Sequence, residues 1–131
     1  MRGLPLIAEW QRVTHHLLAA LDDELSDLGL SAAETNLLGC FAGEPARAVR
    51  ELVAATGQRP STLTGVLDRL ERRGLVARAP HPDDRRSVLV RLTPAGEASA
   101  RRVATAFAHL EARLPADEIR RVLAAVAAAP H

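Results

Sequence analysis

Two groups of polar side chains lie close together in the middle of the chain, and their chemistry suits phosphate groups and base edges. The first group is small and hydroxyl-rich and ends in an arginine: Ser61, Thr62, Thr64, Gly65 and Arg69. The second is a short charged run, residues 83–86, in which two aspartates precede Arg85 and Arg86. Small side chains let a binding partner approach the backbone closely, and an arginine is long enough to reach a base or a phosphate.

The first group is predicted to lie on the outer face of a helix over residues 60–73. The inner stripe recurs at spacings of three and four: Leu63, Val66, Leu67 and Leu70. Pro60 suits the first helical position, where its missing N–H costs no hydrogen bond. Gly74 suits the end, because it can adopt a positive φ.

A β-hairpin is predicted after this helix. Residues 75–79 and 88–92 read as strands, the second with Val88, Val90 and Leu92 inward. Residues 80–87 are rich in proline and charge and read as the loop. Charge runs are usually solvated loops, here balanced by Asp83 and Asp84. The position of the run, at the apex of a hairpin that follows a small-faced helix, favours contact with a DNA groove and the neighbouring backbone.

The segments before this helix complete a helix-turn-helix pattern. Ser31 and Glu34 predict a capping box at the start of a helix. A third helix, residues 47–56, ends at Gly57, two or three residues before Pro60. A short connection containing glycine between two amphipathic helices is typical of helix-turn-helix proteins.

The two ends of the chain predict long amphipathic helices. An apolar stripe runs through residues 4–28, and two further helices are expected over residues 94–113, with Ala98 among their inward positions, and from about residue 116 onward. A helix packed only on its own subunit is the alternative, but the stripe offers more apolar surface than a small domain easily covers, so we expect a dimer. The expected interface residues are Leu6, Trp10, Leu17, Leu21, Ile119 and Leu123.

The hairpin resembles the wing of the MarR (multiple antibiotic resistance) regulators, which are winged helix-turn-helix transcription factors. Their signature is Asp-x-Arg, five residues, Leu-Thr, two residues, Gly. The residues that match it are Asp84, Arg86, Leu92, Thr93 and Gly96. Residues 60–73 are similar to the family's recognition helix. Where the family commonly has a serine before the proline, this chain has Arg59, which removes a side-chain cap and adds a charge.

The resemblance implies a mostly α fold with a small β-hairpin wing. A winged helix-turn-helix core, about residues 31–93, would lie between N- and C-terminal dimerisation helices, residues 4–28 and 94–129, in a single domain spanning 1–131. It further implies a homodimer that binds double-stranded DNA at a palindromic operator, as a transcriptional repressor. The alternative is a winged-helix module that binds another protein.

The resemblance also implies residue roles. The expected DNA contacts are Arg59, Ser61, Thr62, Thr64, Gly65, Arg69, Arg85 and Arg86. Asp84 is expected to hold the Arg86 side chain in position, and Asp68 is a further candidate partner. An effector, if the chain has one, is expected to be a small apolar or anionic molecule between the dimerising helices and the winged core. Its candidate cavity residues are Trp10, Arg12, His15, His16 and Phe41.

Composition and motifs argue against other classes of protein. A chain of 131 residues with 47% hydrophobic composition suits one folding unit. The formal net charge is only +1, but residues 59–91 hold eight arginines against four acidic residues, a local charge of +4. The sequence has no glycine-rich phosphate loop, no His-Glu-x-x-His, no Cys-x-x-Cys and no nucleophile elbow, so we expect neither an enzyme nor a cofactor.

The remaining reactive residues are few. Cys40 is alone, which excludes an intrachain disulfide and fits a reducing cytoplasm. Its apolar flanks indicate a small buried hydrophobe instead of an oxidation sensor. His15 and His16 are adjacent and therefore point about 100° apart on a helix, so no metal site is expected. No run approaches the roughly eighteen apolar residues of a membrane span, and no signal peptide is recognisable, so we expect a cytoplasmic protein.

Overall fold

A computed structural model describes residues 3–129; the predicted single domain, 1–131, also includes residues 1, 2, 130 and 131, which lie outside the described range. The helices are α1 (Leu6–Leu25), α2 (Ala32–Gly39), α3 (Val49–Thr56), α4 (Pro60–Arg72), α5 (Pro94–Glu111) and α6 (Ala116–Ala128). The strands are β1 (Ala46–Ala48), β2 (Val76–His81) and β3 (Asp84–Leu92), and a 3₁₀ turn (Ser26–Leu28) follows α1. The predicted fold, mostly α with a hairpin wing, is confirmed.

The helix α4 forms where the apolar spacing predicts it. The four residues of its inner stripe, Leu63, Val66, Leu67 and Leu70, are each no more than 2% exposed. Pro60 occupies the first helical position, and the preceding Arg59 makes no side-chain cap. The helix ends at Arg72, and Gly74 then adopts a left-handed φ of 73° that turns the chain into β2. Burial of one face therefore fixes α4 in the core and leaves its polar face outward.

The wing is a longer hairpin than the sequence predicts. The strands β2 and β3 pair antiparallel, and β1 pairs with the other side of β3, giving the order β1-β3-β2. The loop predicted over residues 80–87 is reduced to a turn at Pro82 and Asp83, because β2 continues to His81 and β3 begins at Asp84. Pro80 is tolerated because β2 is an edge strand, where a missing N–H does not break the sheet.

Two other predictions near the sheet are wrong in detail. The third helix begins at Val49 and not at Arg47, because residues 46–48 pair with β3 as a short strand. Val88, predicted inward, is 41% exposed, whereas Val90 on the same face is fully buried. The reason is that the core ends beneath Val90 and the hairpin extends beyond it.

Thr93 and Gly96 fasten α5 to the connection between α4 and β2. The Thr93 hydroxyl accepts a hydrogen bond from the Gly96 N–H (3.0 Å) and donates one to the Gly74 carbonyl oxygen (2.6 Å). A Cβ atom at Gly96 would lie 1.8 Å from the Leu75 carbonyl oxygen. Only glycine allows this approach of two backbone segments. The last two residues of the signature therefore act in packing.

The core draws on the end of α1, on α2 to α5 and on the sheet. In α5, Val103 and Ala106 are fully buried. Ala98, predicted inward, is exposed, because it lies five residues before Val103 and so falls off the buried stripe. In α2, the predicted capping box of Ser31 and Glu34 is present.

The terminal helices contribute little to this core. Leu25 is the only buried residue of α1, and none of the described residues of α6 is buried. Both helices are amphipathic, and many of their large apolar side chains, such as Leu6 and Val122, are exposed on the single chain.

Candidate nucleic-acid interface

The outer face of α4 presents small polar groups to solvent. Ser61, Thr62, Thr64 and Arg69 are exposed and Gly65 is half-buried. The Thr64 hydroxyl donates to the Pro60 carbonyl oxygen at 2.9 Å, which leaves it only its acceptor lone pairs for an external partner. No such hydrogen bond within the described residues engages the Thr62 hydroxyl.

The glycine on this face sits beneath the arginine one turn later. A Cβ at Gly65 would meet Arg69 Nη1 at 3.7 Å and nothing closer, which is ordinary van der Waals contact. The Arg69 side chain therefore lies back along the helix over Gly65. The helix surface therefore has a shallow depression at Gly65 and a positive charge beside it.

The tip of the wing carries two exposed arginines. Arg85 and Arg86 follow the turn at Pro82 and Asp83, and neither side chain forms an ion pair with any residue in the described range 3–129. The His81 ring nitrogen Nδ1 accepts from the Asp83 N–H at 3.1 Å and closes the turn. The guanidinium groups are therefore available to an external anion.

Asp84 organises this tip, but not in the way the sequence suggests. Its Oδ1 atom accepts the backbone N–H of Arg86 (3.0 Å), and its Oδ2 atom accepts from the Ser87 hydroxyl (3.1 Å) and from Arg50 Nη1 (3.2 Å). These contacts, the Arg86 N–H first, hold the pKa of Asp84 below its usual range. The expected ion pair with the Arg86 side chain is absent, because Arg50 of α3 occupies the carboxylate instead.

Asp68, the other expected partner of Arg86, is also engaged elsewhere. Arg78 of β2 donates from Nη2 to Asp68 Oδ1 (2.6 Å) and to Glu71 Oε1 (3.1 Å), and both acceptors lie on α4. The Arg78 guanidinium lowers the pKa of Glu71, so this carboxylate stays charged. Asp68 therefore binds the strand of the wing and not its tip.

Sequence reasoning missed Arg50 and Arg78 as functional candidates. Asp68 and Glu71 are three residues apart on one helical face, a spacing that could have indicated a shared cationic partner. No local signal marks the contact between Arg50 and Asp84, because they lie 34 residues apart in the sequence.

Arg73 also contacts its own chain, at the end of the 3₁₀ turn that follows α1. Its guanidinium donates to the carbonyl oxygens of Leu28 (2.7 Å) and Gly29 (2.6 Å). Arg59, at the other end of α4, is exposed and forms no ion pair within residues 3–129. The arginines near α4 thus divide into a structural set and an outward-facing set.

An apolar groove lies between α1 and α6. It has a volume of about 560 Å³ and is lined by residues of both helices and of the turn before α6, among them Leu6, Trp10, Leu17, Leu114, Ile119 and Leu123. Leu6 is 70% exposed and Leu123 is 48% exposed. Leu21, also predicted at the interface, is partly buried against the core of its own chain and does not line this groove. Five of the six predicted interface residues therefore border one groove.

The predicted effector residues are not brought together. Trp10 and Arg12 border the α1–α6 groove, but His15 and His16 are not among its lining residues and are exposed. Phe41 is 1% exposed and belongs to the hydrophobic core. The reason is that Phe41 continues the inward stripe of α2 and is packed into the core.

Cys40 and His109 both lie outside the α4 face and the wing. Cys40 is half-buried against the core, and burial raises the pKa of its thiol. His109 contacts Glu24 across α5 and α1.

Within residues 3–129, no group of three or more His, Cys, Asp and Glu side chains is arranged to hold a metal ion. No helix in this range has the length and apolar character needed to cross a membrane.

Comparison with known proteins agrees with this geometry. Residues 28–87 match the model of the MarR family. The HTH-type transcriptional regulator PecS of Dickeya dadantii (strain 3937) is 40% identical over 101 residues, or 75% of this chain. The chain belongs to the MarR family. The matched segment spans 61% of the length of PecS, less than two thirds of that relative.

Solved structures resemble this MarR-family chain over nearly its whole length. A structure of Bordetella bronchiseptica BpsR, concerned with regulation of its DNA binding by 6-hydroxynicotinic acid, has a TM-score of 0.77 at 26% identity and covers 99% of this chain and 98% of that chain. A cysteine-to-serine variant of E. coli MarR complexed with operator DNA has a TM-score of 0.73 at 29% identity, with coverages of 94% and 91%.

Proposed function

We propose that this chain is a sequence-specific DNA-binding transcriptional regulator that acts as a homodimer on a palindromic operator. One observation carries the proposal. The small polar face of α4 is exposed, the arginines of the wing tip are exposed and form no ion pair among the described residues, and hydrogen bonds join the wing to the helix-turn-helix. The E. coli MarR structure with operator DNA supports it, because the same fold engages a duplex there.

The outer face of α4 is assigned to the major groove. Ser61, Thr62 and Thr64 offer short hydroxyls, and Gly65 lets the helix approach closely. Arg69 is long enough to reach a base or a phosphate beyond them. Arg59 adds a positive charge at the N-terminus of the helix, where the backbone dipole already favours a phosphate.

The wing arginines are assigned to the flanking DNA. Arg85 and Arg86 lie at the tip of a hairpin that extends beyond the core, so they would meet the adjacent minor groove or its phosphates. Narrow A·T-rich minor grooves attract guanidinium groups. This assignment makes the wing a source of affinity and α4 the main source of sequence preference.

The α1–α6 face is assigned to the second subunit. Val122 is 50% exposed and Val126 is 56% exposed on α6, and Ile7 is 67% exposed on α1. Contiguous apolar surface of this kind is covered in stable proteins by a partner. A two-fold dimer presents two copies of α4, so the half-sites should lie about one helical turn of DNA apart. We then assign residues 31–93 to the winged core and the apolar faces of residues 4–28 and 94–129 to the dimer, except that Val103 and Ala106 of α5 pack in the core of their own chain.

Repression and release by a small molecule complete the proposal. Regulation of BpsR DNA binding by 6-hydroxynicotinic acid supports an aromatic acid as the ligand class. Thermal-shift screening of phenolic and aryl-carboxylate ligands tests this part, and a uniformly flat result would count against it.

The central test is selection of duplexes from a random library by the purified full chain. We expect the selection to enrich a palindromic site. The logarithm of the affinity for this site should fall linearly with the logarithm of the salt concentration, because binding to phosphates releases counterions. In Arg86→Ala we expect weaker binding and a salt slope lower by about one phosphate per subunit if the side chain contacts backbone. A protein-interaction module would enrich no site and show no salt-dependent binding.

A further inference from the structure

The wing is fastened to the helix-turn-helix at two points, one on each strand. On β2, Arg78 donates through Nη2 to Asp68 and Glu71 of α4, and its backbone N–H also donates to Glu71 Oε2 at 3.3 Å. Its side chain is 27% exposed, less than either acidic partner. Arg78 thus joins the wing to the helix assigned to the major groove.

The second fastening lies at the start of β3. Arg50 Nη1 donates to the Ser87 hydroxyl (2.8 Å) and to Asp84 Oδ2 (3.2 Å). The other oxygen of Asp84 holds the Arg86 N–H, so the chain of contacts runs from α3 through Asp84 to the backbone of Arg86. Arg50 thereby joins the first helix of the pair to the wing tip.

These contacts matter because the outer part of the hairpin has little else to hold it. Val88 is already 41% exposed, and the residues beyond it towards the tip are exposed or half-buried. A two-stranded ribbon without a buried face is only marginally stable. Arg78 uses Nε and Nη2 on the two oxygens of Glu71, and such a two-point contact fixes direction as well as distance. Without these contacts, the tip would occupy a wider range of angles relative to α4.

We propose that Arg50 and Arg78 are positioning residues that set the angle between the wing and α4, so that Arg86 enters DNA in register with the helix. The inference rests on the proposed function. Neither arginine is assigned a DNA contact. Both act through Arg86, whose own guanidinium has no ion-pair partner among residues 3–129. The opposite view is that Arg50, whose side chain is 64% exposed, binds a phosphate directly.

A double-mutant cycle separates the two views. The probe is the duplex that the wild-type chain enriches from a random library. Arg50→Met and Arg78→Met should each weaken binding about fivefold to tenfold, and less than about twofold when Arg86→Ala is already present, because coupled residues are not additive. Arg101→Met, which removes the same charge from the exposed side of α5 and away from the α1–α6 groove, should leave binding unchanged. Full additivity with Arg86→Ala would overturn the proposal.

A second readout needs no DNA. Amide hydrogen exchange at Arg86 should accelerate several-fold in Arg50→Met, because Asp84 loses the Arg50 guanidinium and keeps the Ser87 hydroxyl as its side-chain donor, and Arg50→Lys should restore part of the protection. Unchanged exchange would overturn the role of Arg50. Asp68→Asn tests the other contact if Arg78→Met does not fold, and it too should lose its effect in the Arg86→Ala background. If the wild-type chain enriches no duplex, the proposed function fails, and the exchange result still decides whether Arg50 orders the tip.

Discussion

The winged core and the pair of terminal helices use apolar side chains in opposite ways. In the core, Leu52, Leu63 and Leu70 are fully buried, and the exposed surface is polar and rich in arginine. On α1 and α6, Trp10 is 41% exposed and Leu123 is 48% exposed, although both lie on clear apolar stripes. The core therefore buries its apolar side chains within one chain, whereas the terminal helices leave many of theirs exposed.

This difference shows which surface each part offers to a partner. Burial of apolar area is worth roughly 25 cal/mol per Å², so an open apolar face gains stability when another protein covers it. A surface whose guanidinium groups have no ion-pair partner in the described part of the chain gains most from an anion. The two halves of the molecule thus predict two kinds of partner, a second subunit and a polyanion.

The largest effect is expected inside the winged core, from a single added methyl group. Gly96→Ala places a Cβ 1.8 Å from the Leu75 carbonyl oxygen, so the backbone of α5 or of the α4–β2 connection must move. We expect a loss of about 3 kcal/mol or more in the free energy of unfolding, at the upper end of overpacking effects. Chemical denaturation measures it. A loss below about 1 kcal/mol would show that this joint is less rigid than the contact indicates.

The next effect concerns the terminal helices, where the core should be spared. Leu123→Glu puts a carboxylate into the α1–α6 groove and should weaken dimerisation about 100-fold, because a buried unpaired charge costs about 3 kcal/mol or more. Sedimentation across a concentration series measures it, with circular dichroism to check the fold. Ala124→Glu, at an exposed position of α6 that does not line the groove, is the matched control. A wild-type chain that sediments as a folded monomer at micromolar concentration would refute the dimer.

The contrast between the two halves also explains what the sequence could predict. The inner stripe of α4 and the capping box at Ser31 depend on residues three or four apart, so local spacing was enough. The signature from Asp84 to Gly96 pointed to the family, which the comparisons confirm. The exposed stripe on α6 looks the same in sequence as a buried one, because spacing does not show what covers it.

The misses share a physical cause. The strand β1 has three residues and no alternation to detect, and it exists because β3 pairs with it. The pairing of Arg50 with Asp84 joins residues far apart in sequence, and it displaced the expected contact between Asp84 and the Arg86 side chain. Contacts of this kind depend on the assembled fold. Sequence spacing therefore placed the wing arginines but not the residues that hold the wing.

A smaller effect should distinguish two neighbouring threonines on α4. Thr62→Val removes a hydroxyl that has no internal hydrogen-bond partner among the described residues, whereas the Thr64 hydroxyl already donates to Pro60. If Thr62 donates to a base edge, its loss should cost about 1 to 3 kcal/mol at that base pair and relax the preference there. Thr64→Val should change preference less. Binding to the selected site and to its single-base variants measures both, and an unchanged preference in Thr62→Val would remove it as a reader.

The smallest effect should have opposite signs for stability and for DNA binding. Gly65→Ala adds a Cβ that meets only Arg69 Nη1, at 3.7 Å, so the folded chain has room for it. Alanine is favoured over glycine in a helix by about 0.5 to 1 kcal/mol, and we expect a gain of that size in the free energy of unfolding. The same methyl group lies on the face assigned to the major groove and should weaken binding to the selected duplex. Denaturation and DNA titration of one purified variant test both signs. A variant that is more stable and binds undiminished would show that the backbone at Gly65 does not approach the DNA.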